Sequence, residues 1–322
     1  MPLLELDDLS VAFGPPGPAT AVTDGVSLSV EGGETVALVG ESGSGKSVTA
    51  LAVMGLLPQP GRIARGAVRF EGCDLVQLGE REMAKVRGDR LAMIFQEPMT
   101  YLNPLLSAGE HVAESLRLHR GLPRGEARKQ ATALLDRVGI ASAARRYDEY
   151  PHRMSGGMCQ RVMIAAALAC RPALLIADEP TTSLDVTIQA QIMDLFFDLQ
   201  AEFGMGILFI THDMGLVAEQ ARRVVVMYAG RVVERAAATT LFEGAAHPYT
   251  AALLRCITDE DVGDRLAVIE GAVPLPGAWP RGCAFAPRCP RAEDACRGAE
   301  PHLAPLGAQH DAACLHPLGA GA

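Results

Sequence analysis

Residues 35–49 read TVALVGESGSGKSVT, and the interpretation of this stretch decides the fold. The apolar run Val36–Val39 has the length and composition of a buried strand, and it feeds directly into Gly40-Glu41-Ser42-Gly43-Ser44-Gly45-Lys46-Ser47. That octet fits the pattern G-x-x-x-x-G-K-[ST], in which glycines let the backbone turn tightly and aim successive N–H groups at phosphate oxygens. Lys46 adds a mobile ammonium, and the Ser47 hydroxyl is a hard oxygen ligand suited to Mg²⁺. The helix that opens at Ser47 turns its positive end toward the anion. The chain has only three lysines, Lys46, Lys85 and Lys129, so a chance lysine in this position is improbable.

Composition sets the frame. The chain has 322 residues, 49% apolar and 21% charged, enough to bury a full core, and is expected to form one large domain with an appendage. A formal net charge of −9 argues against a broad nucleic-acid surface, which needs clustered positive charge. The opening MPLLELDDLS lacks the basic and apolar regions of a secretory signal. The apolar run Val162–Cys170, bounded by Arg161 and Arg171, is too short to cross a bilayer. Membrane association is therefore expected to go through a partner.

Outward from the phosphate loop, Leu3–Phe13 and Val22–Val30 alternate like strands and predict a small antiparallel sheet. Ser47–Leu57 reads as a helix stopped by Pro58 and Pro60, and Val68–Phe70 and Leu91–Phe95 as strands, the last running into Gln96. From about residue 98 the period becomes helical, with amphipathic segments at Ala108–Arg120 and Arg124–Val138. Ser155-Gly156-Gly157 opens another helix, with serine at a natural N-cap. The apolar strand from Ala173 ends in Asp178-Glu179, as a strand of a parallel sheet delivers acids to its carboxyl end. A helix follows at Thr187–Phe203, then the strand Gly206–Thr211 and His212. Val224–Val226 and Arg231–Glu234 flank Tyr228-Ala229-Gly230 as a hairpin. Alternation of this kind predicts an α/β core.

Chemistry assigns expected roles. Asp178 is placed to hold Mg²⁺ through its water shell, and Glu179 to polarise the water that attacks a γ phosphate. Gln96 is a neutral ligand for the metal or the water, and His212 a sensor of the γ phosphate. Phe13 is either a stacking partner for adenine or ordinary core.

The set GESGSGKS (40–47), Gln96, MSGGMCQR (154–161), LLIADEP (174–180), Ser183-Leu184-Asp185 and His212 resembles the ATP-binding cassette of ABC transporters. The resemblance implies an ABC-type P-loop NTPase core with an N-terminal antiparallel β subdomain, an inserted helical subdomain (about 98–160) and a small C-terminal extension. It implies ATP and Mg²⁺ as ligands, with Gly40, Glu41, Ser42, Gly43, Ser44, Gly45, Lys46, Ser47 and Val48 around the phosphates and Phe13 on the adenine. It further implies a head-to-tail dimer in which Ser155, Gly156 and Gly157 contact the partner's γ phosphate and Asp185 crosses the seam. Catalysis would rest on Glu179, His212, Gln96 and Lys46, and the metal on Ser47, Gln96 and Asp178.

A finer resemblance, carried by residues 150–192, by HPYTAALL (247–254) and by GCAFAPRCPRAEDAC (282–296), is to the ATPase subunits of oligopeptide and dipeptide importers. It implies residues 1–240 as the nucleotide-binding domain and 241–322 as the family's extension. The partners would be two membrane-spanning permease subunits, a second ATPase subunit, identical or paralogous, and an extracytoplasmic solute-binding protein, with no nucleic acid. The location would be the cytoplasmic face of the membrane. A soluble ABC ATPase acting on nucleic acid or ribosomes is the alternative; those resemble tandem cassettes or a cassette interrupted by a coiled coil, for which this chain has no room. Two residues depart from the pattern. Met158 replaces the glutamine of the wider superfamily, as is normal in this subfamily, and Cys159 stands where arginine is expected.

The extension is rich in proline and arginine and holds Cys283, Cys289, Cys296 and Cys314, with five, six and seventeen residues between them. It could bury little core unaided, so a staple is expected. A reducing compartment disfavours disulfides. A cluster, a zinc ion with His310 or His316 as spare ligands, and unligated thiols all remain open on spacing alone. Similar tails in the peptide-importer family hold a [4Fe-4S] cluster, so the resemblance implies these four cysteines as its ligands. Cys73, Cys159, Cys170 and Cys256 read as buried or incidental thiols.

Overall fold

Five consecutive residues buried on every side, Thr35–Val39, can only be a strand with neighbours above and below, and the same holds for Leu174–Asp178 and Gly206–Ile210. A computed structural model describes residues 1–15, 19–180, 186–258 and 269–319, with no side-chain description for 186–188. Its residues group into two compact units. One holds Glu31–Glu34 and Gln77–Phe209, the other Pro2–Val30, Thr35–Val76 and Ile210 onward.

In the first unit, Leu91–Ile94 pairs in parallel with Leu174–Asp178, in register Leu91 with Leu174 through Ile94 with Ala177. Gly206–Ile210 flanks the other side of Leu174–Asp178. The helical segment that follows Gln96 contains Ala108–Arg120, Arg124–Arg137 and Gly156–Leu168. Ser107 caps the first of these by accepting from the Glu110 N–H, and Gly121 closes it in the left-handed conformation. Tyr147, which caps the short helix Ala143–Arg146, lays its ring on the backbone of Gly109, where an added Cβ would come 2.1 Å from the ring. The Tyr147 hydroxyl donates to Glu110 Oε1 at 3.1 Å, and burial, aided by that carboxylate, pushes its pKa up to about 12.

The second unit carries an antiparallel sheet in the order Thr20–Val30, Leu4–Phe13, Gly61–Phe70, Cys73–Asp74. The Gly61–Phe70 strand is far longer than the Val68–Phe70 expected, because Arg62, Arg65 and Arg69 mask its pattern; Arg65 lies 2.8 Å from Asp8 on the neighbouring strand. Thr35–Val39 pairs in parallel with Arg223–Tyr228, which turns through Ala229-Gly230, both at positive φ, into Arg231–Ala237. That two-residue turn is the hairpin expected. The helix after the phosphate loop spans Lys46–Val53 and ends before a left-handed Gly55, so it stops short of the expected Leu57.

The extension packs onto this hairpin within the same unit. His310–Ala312 adds beside Arg231–Ala237, and Tyr228, Tyr249 and Phe285 meet with ring centroids 4.7 to 5.4 Å apart. Beneath them lies Glu234, fully buried. Its carboxylate accepts from the Ala246 N–H at 2.7 Å and the His247 N–H at 2.9 Å, and its Oε1 lies 2.8 Å from His310 Nε2. A buried carboxylate is tolerable only when satisfied in this way.

His247 is 1% exposed, and its Nδ1 accepts from the Tyr249 N–H at 3.0 Å. Burial therefore lowers its pKa to about 4, against a weaker opposing pull from Glu234. The unfolded chain binds a proton here near pH 6.5 while the folded chain resists until about 4, so this contribution to stability is whole above 6.5 and is lost as pH falls through that window. Between pH 7 and pH 5 the loss amounts to about 2 kcal/mol. Denaturant unfolding at the two pH values should show this fall, and His247→Asn, whose side-chain oxygen can still accept from Tyr249, should flatten it.

Candidate functional site: the phosphate loop and the acidic strand end

Gly40 has φ +149°, and an added Cβ would lie 2.2 Å from the Met227 carbonyl oxygen and 2.9 Å from Ser44 Oγ. No other residue fits, and the loop is therefore forced to curl where the Thr35–Val39 strand ends. The Gly230 N–H donates to the Ser44 carbonyl at 3.0 Å and anchors the far side of the curl. Lys46 folds back under it: Nζ donates to the carbonyls of Gly40 at 2.7 Å and Glu41 at 3.0 Å, with Ser44 Oγ at 3.5 Å. An ammonium that is only 6% exposed and held beside the opening turn of the Lys46–Val53 helix makes this loop a cradle for an anion. Ser42 and Gly43 are exposed at its rim, and Ser47 and Val48 are half-buried.

The remaining expected residues of this unit are also placed. Phe13 ends the first strand, half-buried, with its ring on the backbone of Gly61, where an added Cβ would approach to 2.8 Å. His212 is exposed just past Gly206–Ile210. The following Asp213 caps the next helix, its carboxylate accepting from the N–H groups of Gly215 at 2.9 Å and Leu216 at 3.1 Å.

In the other unit, Asp178 is buried at the end of its strand, and Glu179 turns out of it with φ +45°. A non-glycine residue in that conformation carries strain, which concentrates at functional sites. Gln96 and Glu179 are brought together: Gln96 Nε2 donates to Glu179 Oε2 at 2.8 Å, a bond that uses the amide nitrogen and not the oxygen. Ser155 caps the Gly156–Leu168 helix by accepting from the Met158 N–H at 3.3 Å, and Ser155 and Gly156 are exposed. Gln160, which the sequence reading passed over, ties this helix to the acidic strand by donating to the Pro180 carbonyl at 2.6 Å. Cys159 points inward, fully buried, with its Sγ 3.5 Å from the Pro151 carbonyl oxygen; the departure from arginine is thus absorbed as packing. Asp185 lies outside the described residues.

Ser47 hydroxyl, Gln96 amide oxygen and Asp178 carboxylate are hard oxygen donors of the kind Mg²⁺ takes, so the chemistry of the set fits that ion. Ser47 belongs to one unit, Gln96 and Asp178 to the other.

One expectation is overturned. Cys283, Cys289, Cys296 and Cys314 line one small cavity together with Phe285 and His316. Among the described residues, however, no group of three or more His, Cys, Asp or Glu is placed to hold a metal ion. Burial pushes the Cys283 and Cys314 thiols up. The tail is held instead by aromatic packing and backbone bonds such as Cys283 N–H to the Cys296 carbonyl at 2.8 Å, and the expected [4Fe-4S] cluster is not supported. Of the other cysteines, Cys159 and Cys170 are buried, whereas Cys73 and Cys256 are exposed.

Sequence relationships agree with this geometry. Residues 23–182 match the ABC transporter family model, and residues 233–296 match the C-terminal region of oligopeptide/dipeptide transporters. The chain is 49% identical over 319 residues to the dipeptide transport ATP-binding protein DppD of Escherichia coli, covering 99% of this chain and 98% of that one. It is 51% identical over 304 residues to the oligopeptide transport ATP-binding protein AppD of Bacillus subtilis, covering 94% and 92%. Among solved structures, the ATP-binding cassette MJ0796, in a dimeric post-hydrolysis state bound to ADP and Pi, superposes with a TM-score of 0.66 at 30% identity over 73% of this chain and 98% of that one. The cbiO1 protein of Clostridium perfringens superposes with a TM-score of 0.62 at 27% identity over 75% and 91%. No helix among the described residues is long and apolar enough to cross a membrane. The chain belongs to the ABC transporter ATPases, in the branch of oligopeptide and dipeptide transport ATP-binding proteins.

Proposed function

We propose that this chain is the ATP-hydrolysing subunit of an importer of dipeptides or oligopeptides. The observation that carries the reading is the Gly40 curl with Lys46 folded beneath it, within a chain matched end to end by transport ATP-binding proteins. Residues 1–240 form the nucleotide-binding domain, with a helical subdomain at about 98–160, and 241–322 the extension. Two such cassettes, identical or paralogous, work head to tail at the cytoplasmic face, coupled to two permease subunits and supplied by an extracytoplasmic solute-binding protein.

Lys46 offsets charge on the β and γ phosphates, and the loop N–H groups of residues 41–48 hold their oxygens. Ser47, Gln96 and Asp178 would hold Mg²⁺, which when bound would neutralise charge developing on the transferred phosphoryl group. Glu179 accepts a hydrogen bond from the attacking water and orients it in line; its bond to Gln96 keeps the carboxylate in place. His212 donates to the γ phosphate. Phe13 stacks on adenine. Ser155, Gly156 and Gly157 present the capped start of their helix to the partner's nucleotide, and Asp185 crosses between cassettes.

Two substitutions test these roles. Glu179→Gln should keep magnesium nucleotide binding and lower single-turnover hydrolysis by about 100-fold or more, the scale of a lost general base. Turnover at the wild-type rate would reject the role given to Glu179. Gly40→Ala places a methyl against the Met227 carbonyl and should weaken nucleotide binding by at least about tenfold, or 1.4 kcal/mol, in equilibrium titration.

A further inference from the structure

Glu41 fills an unspecified position of the G-x-x-x-x-G-K-[ST] pattern, and its side chain is engaged by Arg288 of the extension. Arg288 Nη1 donates to Glu41 Oε1 and Arg288 Nη2 to Glu41 Oε2, both at 3.0 Å, a two-pronged pair. The other donors of the guanidinium reach Tyr228 Oη at 3.3 Å, the Ile269 carbonyl at 2.9 Å and, from Nε, the Glu270 carbonyl at 2.8 Å. An arginine has five N–H donors, and each of these has an acceptor. The Arg288 side chain is 5% exposed and that of Glu41 28%, so the pair is shielded from the screening that makes surface ion pairs weak. A second contact fixes the same residue: the Glu41 N–H donates to Tyr249 Oη at 2.8 Å, and Tyr249 is fully buried. Meanwhile the Glu41 carbonyl is one of the two that hold Lys46 Nζ.

These bonds form one continuous chain, from Arg288 and Tyr249 through Glu41 to the ammonium of Lys46. Arg288 lies between Cys283 and Cys289 in the stretch that supplied the overturned cluster, and Tyr249 lies in the HPYTAALL segment. We propose that Arg288 and Tyr249 are positioning residues of the C-terminal extension, which set the affinity of the phosphate loop for nucleoside triphosphate by fixing Glu41. The inference rests on the proposed nucleotide-binding role of that loop. It gives the extension a task inside its own chain: any displacement of the segment around Arg288 is transmitted to the backbone that holds Lys46.

The test uses the purified full chain, titrated with the magnesium complex of adenylyl imidodiphosphate well below its melting temperature, together with steady-state ATPase assays. Arg288→Met should weaken binding about tenfold and raise KM with little change in kcat, since it acts on binding rather than on the transition state. Arg288→Lys, which keeps charge but not the fork, should recover part of the loss. Glu41→Gln/Arg288→Met should bind no worse than Arg288→Met alone, because the two side chains act as one unit. Should Arg288→Met fail to fold, Glu41→Gln and Tyr249→Phe decide the matter, each removing one contact to the loop and each expected to weaken binding at least threefold. Variants that melt earlier but bind as tightly as wild type would overturn the proposal and leave Arg288 a purely structural residue. A wild-type chain that binds no nucleotide would overturn the functional reading itself, a separate and recognisable failure.

Discussion

The approach of the Met227 carbonyl to Gly40, too close for any side chain, governs the site. Two strands paired in parallel, Thr35–Val39 and Arg223–Tyr228, bring the hairpin against the loop, and the loop has no room to open toward it. The backbone must curl away, its carbonyls converge on Lys46, and the helix begins at once. An ammonium held by carbonyl oxygens beside a helix start is aimed at any anion that enters the curl. The shape of the site is thus a packing result.

The same hairpin explains why the extension belongs with the nucleotide loop. Tyr228 follows Met227 in the strand, and its ring packs on Tyr249 and Phe285 of the extension. Glu234, on the return strand, gathers the start of the HPYTAALL segment through two backbone N–H groups and lies against His310 from near the end of the chain. A proline- and arginine-rich tail thereby acquires order from one buried carboxylate, three aromatic rings and a saturated arginine. Among the described residues no group of three or more His, Cys, Asp or Glu is placed for a metal, an outcome that cysteine spacing alone does not decide.

Much of this was legible from residues alone. The phosphate loop, the Ser155 cap and the acidic strand end are local patterns, each fixed by the conformation of a few neighbouring residues, and each is found where expected. Local signals also failed in intelligible ways. Pro58 signals the end of the first helix in the sequence, whereas Gly55 in the left-handed conformation ends it earlier. Arginines that pair across strands hid most of Gly61–Phe70. The contact between Arg288 and Glu41 joins residues 247 positions apart, a distance at which no periodicity or motif carries information.

The central claim is that a triphosphate is gripped by the curled loop through the ammonium of Lys46. Equilibrium titration of the full chain with magnesium ATP, comparing wild type with Lys46→Ala, tests it most directly. Saturable binding by wild type and its loss in Lys46→Ala, with both chains melting alike, is the result the account predicts. Equal affinity in the two proteins would contradict it.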